Sequence, residues 1–598
     1  MNNERRQGSA GDVKAEFKKI NKRSNLLRLA GMMKPYGGKL ALAVILVLIV
    51  NAAELIKPLA AAVVIDDFIN GGVAQNGLYS ITGLGIAYFL LVLIGAVCHV
   101  LQARTVARMS QGILNTIRHA VFRRIEALPI KVLDRYGTGR LITRATNDVE
   151  TINEFYSDVF LNLFKDVFLL IGIVAVMLML DVRLALIAFI AVPIIFLITF
   201  SIKRIIKENF KFIKLVTGKI NGFFSENIQG MRIIQVFNAE KQKLGEFREL
   251  NRQYYKGAIT QVTLNTILRP SMELINQLIV ALLIAYGYGR VTGEVNALDV
   301  GILYAFTNYV KQFFNPINDL AEKYTTVQSA FVSTDRIYEL LDEPETEDRV
   351  IGHVGEIRGE IEFCDVWFAY NDENWVLKGV SFKIPAGTRA AFVGSTGAGK
   401  STIINLITRC YNIQRGEILI DGIPHTEWNL TCLRQGIATV LQDVFLFTGT
   451  IRENIDLGAE RDDTEITEAL KLAEAYDFLQ SESGGDGLSA HVTEQGHNYS
   501  TGERQLLSFA RAIASRPAVL ILDEATAHID TDTEQRVQAA IESASKGRTS
   551  IYIAHRLSTI RSSDVIYYLK SGVITEQGSH DELMRLGGEY AALVEAGE

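Results

Sequence analysis

Apolar positions are spread unevenly along the 598 residues. They crowd into residues 38–325, in runs that lack the alternation of apolar and charged faces shown by helices packed in water. Val167 to Leu180 carries no charged residue on any face. A helix needs roughly 20 mostly apolar residues to cross a hydrocarbon core ~30 Å thick. Six segments qualify, near 38–62, 80–104, 157–180, 183–202, 269–290 and 299–320. The fourth, Leu184 to Ile202, is among the cleanest, and the sixth is the weakest because Asn308, Lys311 and Gln312 interrupt it. The pattern predicts an all-α membrane domain with six helices over residues 36–325. The competing reading, a large soluble helical domain, is opposed by the charge-free stretches.

The polar segments between the spans orient them. Lys18 and Lys19 precede the first span, Arg118, Arg123 and Arg124 follow the second, and Lys203, Arg204 and Lys207 follow the fourth. The short links near 71–78 and 181–182 carry no such excess, so the positive-inside rule places both termini and the two long loops in the cytosol. Those loops are longer than the spans, which predicts that helices 2 to 5 continue into the cytosol as paired hairpins. Residues 1–35 read as a polar cytosolic tail without a cleaved signal peptide. From about Gly359 the pattern changes to short apolar strands, helices and Gly-rich turns, an α/β domain over 359–598 with a mainly parallel sheet. Residues 326–358 read as a linker, with the acidic stretch Asp342 to Asp348 as its exposed middle.

Composition narrows the function classes. The net charge of −6 is small for this length and argues against a nucleic-acid partner, which calls for a concentrated basic face. The four cysteines, Cys98, Cys364, Cys410 and Cys432, form no close pair, so neither a disulfide framework nor a zinc site is expected.

The candidate chemistry begins at Gly394. GSTGAGKST follows the strand-like run Ala390 to Val393 and leads into a helical run from Thr402. This is the G-x-x-x-x-G-K-[ST] pattern in a strand–loop–helix setting. Its glycines let backbone N–H groups curl around phosphate oxygens, and the helix N-terminus adds partial positive charge. Gly394, Ser395, Thr396, Gly397, Ala398, Gly399, Lys400, Ser401 and Thr402 are therefore candidate ATP-binding residues. Lys400 is placed for the β- and γ-phosphates and the Ser401 hydroxyl for Mg²⁺. Val519 to Leu522 is an apolar strand ending in Asp523 and Glu524. The first carboxylate is assigned to the metal and the second to orienting or deprotonating the attacking water.

With these residues the chain resembles the ABC transporter superfamily, from about residue 35 to 595. VLQD places Gln442 at the family's Q-loop glutamine, which the resemblance assigns to both catalysis and the metal. IAHRLST places His555 at the switch histidine, and HID places Asp530 at the D-loop aspartate. Tyr370 stands where the family stacks an aromatic ring on adenine. Asp134 to Ile152 and Glu226 to Glu240 resemble the family's two intracellular loops. The implied fold is an exporter-type six-helix membrane domain followed by an α/β P-loop NTPase domain with a helical subdomain. The implied function is ATP-driven export or lipid flipping by a dimer of two such halves in a bacterial cell membrane, each ATP held between one half's phosphate loop and the other half's signature motif.

The signature is where the chain departs from the family. LSGGQ is replaced by Tyr499-Ser500-Thr501-Gly502-Glu503, which keeps Ser500 and Gly502 but substitutes Thr501 and Glu503. The resemblance therefore extends to heterodimeric exporters. This chain is expected to supply the intact hydrolytic site, and a different half-transporter with a replaced carboxylate to supply a good signature. A homodimeric lipid flippase or peptide exporter is the alternative, and an ATP-gated channel or regulator is the alternative of another class. No peptidase-like domain precedes the first span, so leader-peptide processing is not expected. The expected substrate is small and amphipathic. Within the spans, Glu54 with Lys57 and Lys165 with Asp166 are functional candidates, with interhelical or intrahelical ion pairs as the alternative reading, and Asn276, Gln277 and Asn308 read as cavity-lining or helix-bridging groups.

Overall fold

The structure, a computed structural model, describes residues 22–70, 80–291, 299–344, 347, 351–371, 374–482, 487–523, 531–553 and 560–597. The chain divides into two compact units, Met1–Ile125 with Gly139–Glu343, and Glu126–Thr138 with Pro344–Glu598. Among the helices of the first part, in chain order, are α1 (Lys22–Met33), α2 (Gly37–Val63), α3 (Ile81–Glu126), α4 (Ile130–Tyr136), α5 (Leu161–Leu180), α6 (Val182–Phe189), α7 (Ala191–Gln229), α8 (Met231–Val236), α9 (Glu240–Val291) and α10 (Val300–Leu341). All but α4 lie essentially within the first unit.

Among the described residues, four helical stretches are long and apolar enough to cross a membrane: Leu27–Asp67, Ile81–Glu126, Thr138–Leu180 and Glu273–Val291. They coincide with the first, second, third and fifth expected spans. The most apolar stretch of α3 buries no residue against the protein, and Phe89, Ile94 and Val100 point outward. Such a surface is solvated by lipid rather than water. In the fourth expected span the hydrogen-bond ladder is interrupted at Ile190, between α6 and α7, while the backbone there stays helical, because Pro193 has no N–H to offer the carbonyl of Phe189. The sixth falls within α10, where polar residues dilute the apolar run.

The long helices overshoot the bilayer. At 1.5 Å per residue, the 46 residues of α3 span about 69 Å and the 52 of α9 about 78 Å. Beyond the apolar stretches, α7 and α9 pack as a hairpin with α8 at its tip. Asn209 Nδ2 donates to the Gly257 carbonyl at 2.9 Å, and Phe223 stacks on Phe247 with ring centroids 6.0 Å apart. Residues 326–341, which composition assigns to the linker, are the last turns of α10. Ala330, Phe331, Ile337 and Leu340 are buried there, while Arg336 and Glu339 contact Arg144. An amphipathic cytosolic helix has a linker-like average composition, and only the position of its apolar residues distinguishes the two.

Partly buried charges tie the bundle together. Asp181 accepts from the backbone N–H groups of Arg183 and Leu184 at 2.9 Å each, capping α6, and pairs with Arg290 of α9 at 2.5 Å. Glu54 pairs with Lys57 at 2.6 Å, as expected. Asp166 does not pair with its neighbour Lys165. It meets Lys323 of α10 at 2.9 Å, because consecutive residues on a helix point in different directions.

The second unit holds two main sheets. The strands are β1 (Ile361–Ala369), β2 (Trp375–Ile384), β3 (Arg389–Val393), β4 (Arg415–Ile420), β5 (Ile423–Pro424), β6 (Ile437–Val440), β7 (Val519–Asp523), β8 (Thr549–Ile553), β9 (Val565–Lys570) and β10 (Val573–Gly578). An antiparallel sheet runs β2-β1-β4-β5, and a mainly parallel one runs β10-β9-β3-β8-β7-β6. The helix α11 (Lys400–Ile407) follows β3. Its Ile403, Ile404, Leu406 and Ile407 join Phe363, Phe382 and Phe392 in one core. A helical subdomain contains α12 (Asp463–Leu472) and α13 (Thr501–Ala514), whose Leu470, Leu506, Phe509 and Ile513 form the second core with Leu520 and Leu522 of β7.

Replacing Asp181 by Ala removes a helix cap, about 1 kcal/mol, and takes the carboxylate from Arg290. The expected result is a lower unfolding temperature in detergent.

Candidate functional site

The strand order brings the candidate residues together. β3 and β7 both flank β8, so the turn after Val393 and the carboxylate of Asp523 emerge at the same edge of the sheet. That turn demands glycine. Gly394 has φ +146°, and a Cβ there would stand 2.1 Å from the carbonyl oxygen of Leu569. Gly399 has φ +110°, and its Cβ would meet Leu377 at 2.7 Å. Gly397 has φ +84° but open space around it, so its demand is conformational alone.

Lys400 is nearly buried and curls back over the loop, donating from Nζ to the carbonyls of Gly394 at 2.6 Å and Ser395 at 3.0 Å. A cavity of about 480 Å³ opens above it, lined by Tyr370, Val376, Thr396, Gly397, Gly399, Lys400, Ser401, Thr402, Gln442, Asp523 and Ile553. The Tyr370 hydroxyl lies 3.2 Å from Thr402 Oγ1 and accepts from Asn405 Nδ2 at 3.2 Å. Gly394, Ser395 and Ala398 shape the loop without lining the cavity, and Ala398 is buried beneath it. Glu524, Asp530 and His555 lie outside the described residues.

The lining fits a magnesium nucleotide. The size suits a small cofactor. Lys400, the loop N–H groups and the start of α11 offer positive charge and donors to phosphate oxygens. The Ser401 hydroxyl, the Gln442 amide and the Asp523 carboxylate offer hard oxygen ligands of the kind Mg²⁺ takes alongside phosphate and water. Tyr370 and Val376 offer a flat apolar face to a base. When bound, Mg²⁺ would neutralise charge on the phosphate chain, and these residues would hold it and align the chain. Val376, Ile553 and Asn405 were not legible as site residues, since they lie on other elements and belong to no motif.

The segment Ser500 to Glu503 stands elsewhere, at the start of α13, and does not line this cavity. Ser500 Oγ accepts from the Glu503 backbone N–H at 3.3 Å, while the Glu503 carboxylate accepts from the Ser500 N–H at 2.7 Å. This is a reciprocal capping box. Arg504 donates to Thr501 Oγ1 at 3.3 Å.

Known proteins share this arrangement. Residues 40–317 match the ABC transporter transmembrane region, and residues 377–527 match the ABC transporter family. The uncharacterized ABC transporter ATP-binding protein YknV of Bacillus subtilis (strain 168) is 37% identical over 578 residues, 96% of this chain and 94% of that protein. The chain belongs to the ABC transporter family. The probable multidrug resistance ABC transporter ATP-binding/permease protein YheH of the same organism is 39% identical over 485 residues, 81% of this chain and 72% of that one. The solved structure of a bacterial Atm1-family ABC exporter with ATP bound superposes with a TM-score of 0.75 at 28% identity, covering 93% of this chain and 98% of that one. This ABC transporter therefore has the exporter-type membrane domain followed by the nucleotide-binding domain. It is an ATPase coupled to transport, uses ATP with Mg²⁺, and lies in the membrane with its nucleotide-binding domain in the cytosol.

Two substitutions separate the parts of the site. Tyr370→Ala should raise the KM for ATP roughly tenfold, since stacking on a base is worth about 1–3 kcal/mol, with kcat at saturation little changed. Asp523→Asn should instead lower kcat by at least about 100-fold through the metal and should raise the Mg²⁺ concentration needed for half-maximal hydrolysis.

Proposed function

We propose that this ABC exporter is the hydrolysis-competent half of an unequal pair that moves a small amphipathic substrate across the membrane. In this reading Lys400 and the loop hold the triphosphate, while Ser401, Gln442 and Asp523 hold the metal. Glu524 orients the attacking water, with His555 beside the γ-phosphate and Asp530 at the dimer seam. The other nucleotide site, built on the partner's phosphate loop, receives Ser500, Thr501, Gly502 and Glu503 and is the weaker one.

The observation that carries the pairing is the capping box at Glu503. Its carboxylate closes on the first turn of α13, so a full negative charge sits at the positive end of the helix that is meant to face a phosphate. A glutamine there could cap equally well without the charge. Thr501 adds a branched side chain where the family has glycine, which hinders close approach of backbone to the anion. Both changes weaken the partner's site and leave this chain's own loop untouched.

Support for the substrate class is of a different kind. A relative covering most of the chain is named a probable multidrug resistance transporter. The membrane unit also keeps polar groups inside an apolar bundle, among them Asn276, whose buried Oδ1 has no hydrogen-bond partner among the described residues. Lipid-exposed walls with scattered polar atoms suit molecules that are themselves half apolar.

Purification of this chain alone tests the pairing. The expected result is weak hydrolysis and no stable dimer, and a stable dimer with brisk, substrate-stimulated hydrolysis would overturn it. In the complete transporter, Glu524→Gln should stop turnover while ATP still binds. Thr501→Gly with Glu503→Gln should tighten ATP binding at the partner's site roughly three- to tenfold, a range set by removing one charge from a helix N-terminus.

A further inference from the structure

Tyr370 is held from behind by residues that no motif assigns. Its ring is flanked edge-to-face by Phe368, with centroids 4.8 Å apart and planes at 85°, and by Tyr411, with centroids 5.0 Å apart and planes at 88°. Asn405 of α11 fastens both tyrosines, donating from its side chain to the Tyr370 hydroxyl and accepting at its backbone carbonyl from the Cys410 and Tyr411 N–H groups at 2.8 and 3.3 Å. The far end of Tyr411 is anchored as well. Its hydroxyl donates to the carboxylate of Asp134 on α4, a helix that belongs to the same compact unit as the nucleotide cavity. The Glu347 N–H also donates to the Ala127 carbonyl at 3.0 Å in this unit.

Without Asp134 the Tyr411 hydroxyl would lose its anchor, leaving the ring held only by its edge contacts with Phe368 and Tyr370 among the described ring contacts. A second cavity, of about 710 Å³, lies beside it and is lined by Pro129, Lys131, Glu347, Tyr370 and Tyr411 among others. Packing alone therefore does not fix the ring. Burial and the Asp134 carboxylate together raise the Tyr411 pKa, so the phenol stays protonated and remains the donor.

We infer that Asp134 and Tyr411 are a positioning pair for nucleotide binding, and that their hydrogen bond holds the Tyr411 edge against Tyr370 and so sets the face that Tyr370 offers to the adenine base. Neither residue touches the nucleotide. The inference rests on Tyr370 as the adenine platform, and the effect is confined to the base because the phosphate loop makes no contact with Asp134 or Tyr411 among the described hydrogen bonds and ion pairs. An edge-to-face aromatic contact is worth enough to change affinity roughly three- to tenfold.

The test uses the complete transporter in lipid vesicles and measures the KM for ATP, kcat, and inhibition by inorganic tripolyphosphate, which has phosphates but no base. Tyr411→Phe and Asp134→Ala are each expected to raise the KM for ATP roughly three- to tenfold. The double variant should be no worse than either single one, and kcat at saturation and tripolyphosphate inhibition should stay as in the unaltered protein. Asp134→Asn, which keeps an acceptor oxygen, should restore most of the affinity. An unchanged KM in both single variants, additive losses in the double, or parallel weakening of tripolyphosphate inhibition would overturn the positioning role. Tyr370→Ala is the arm that separates the two levels. If it leaves the KM unchanged, the adenine platform itself is wrong; if it raises the KM while Tyr411→Phe and Asp134→Ala do not, only the positioning pair fails.

Discussion

The carbonyl oxygen of Leu569 leaves no room for a side chain at residue 394, and the nucleotide site depends on that contact. Because the turn out of β3 must pass so close to β9, it takes a backbone conformation that only glycine tolerates. That conformation carries the next residues into the loop over which Lys400 curls back. The start of α11 follows directly, so Lys400 and Ser401 arrive at the rim of the nucleotide cavity. Asp523 reaches it from β7 because β8 alone separates that strand from β3. One close approach of backbone to backbone thus sets the position of a cation, a hydroxyl and a carboxylate.

The other half of the protein is governed by its solvent. Where α3 faces lipid, its Phe89, Ile94 and Val100 side chains stay exposed among the described residues, since lipid solvates them. Where α7 and α9 leave the bilayer, the helices cover each other, with amide hydrogen bonds and stacked rings along the seam. Two of the charge pairs inside the bundle are drawn from distant segments. Asp181 with Arg290 and Asp166 with Lys323 join segments more than 100 residues apart, and such pairs fix which helices lie side by side.

The signature segment illustrates how one substitution acts at two levels. As a helix cap, Glu503 is well chosen, since it completes a reciprocal box with Ser500 and stabilises the start of α13. As part of a surface meant to face phosphate, the same carboxylate carries the wrong sign. In the proposed pairing, fold and function would pull in opposite directions at that residue, and an unequal pair of nucleotide sites would be the arrangement in which the conflict does least harm.

Four of the six expected membrane spans, the phosphate turn and the strand ending at Asp523 were legible from the chain alone, because each depends on residues that are neighbours in sequence. A run of apolar residues needs lipid wherever it is placed, and a Gly-rich turn before a helix binds anions wherever it is placed. The contacts that complete the site could not be read in this way. The helical turns of 326–341 and the pairing of Asp166 with Lys323 depend on what packs alongside. The same holds for Val376 and Ile553 in the cavity wall, and for Asp134 behind Tyr411. Local patterns determine which solvent each segment requires and which turns the backbone can make. Only the tertiary structure decides which distant side chains meet, since a hydrogen bond or ion pair forms over about 3 Å between residues that the sequence places hundreds of positions apart.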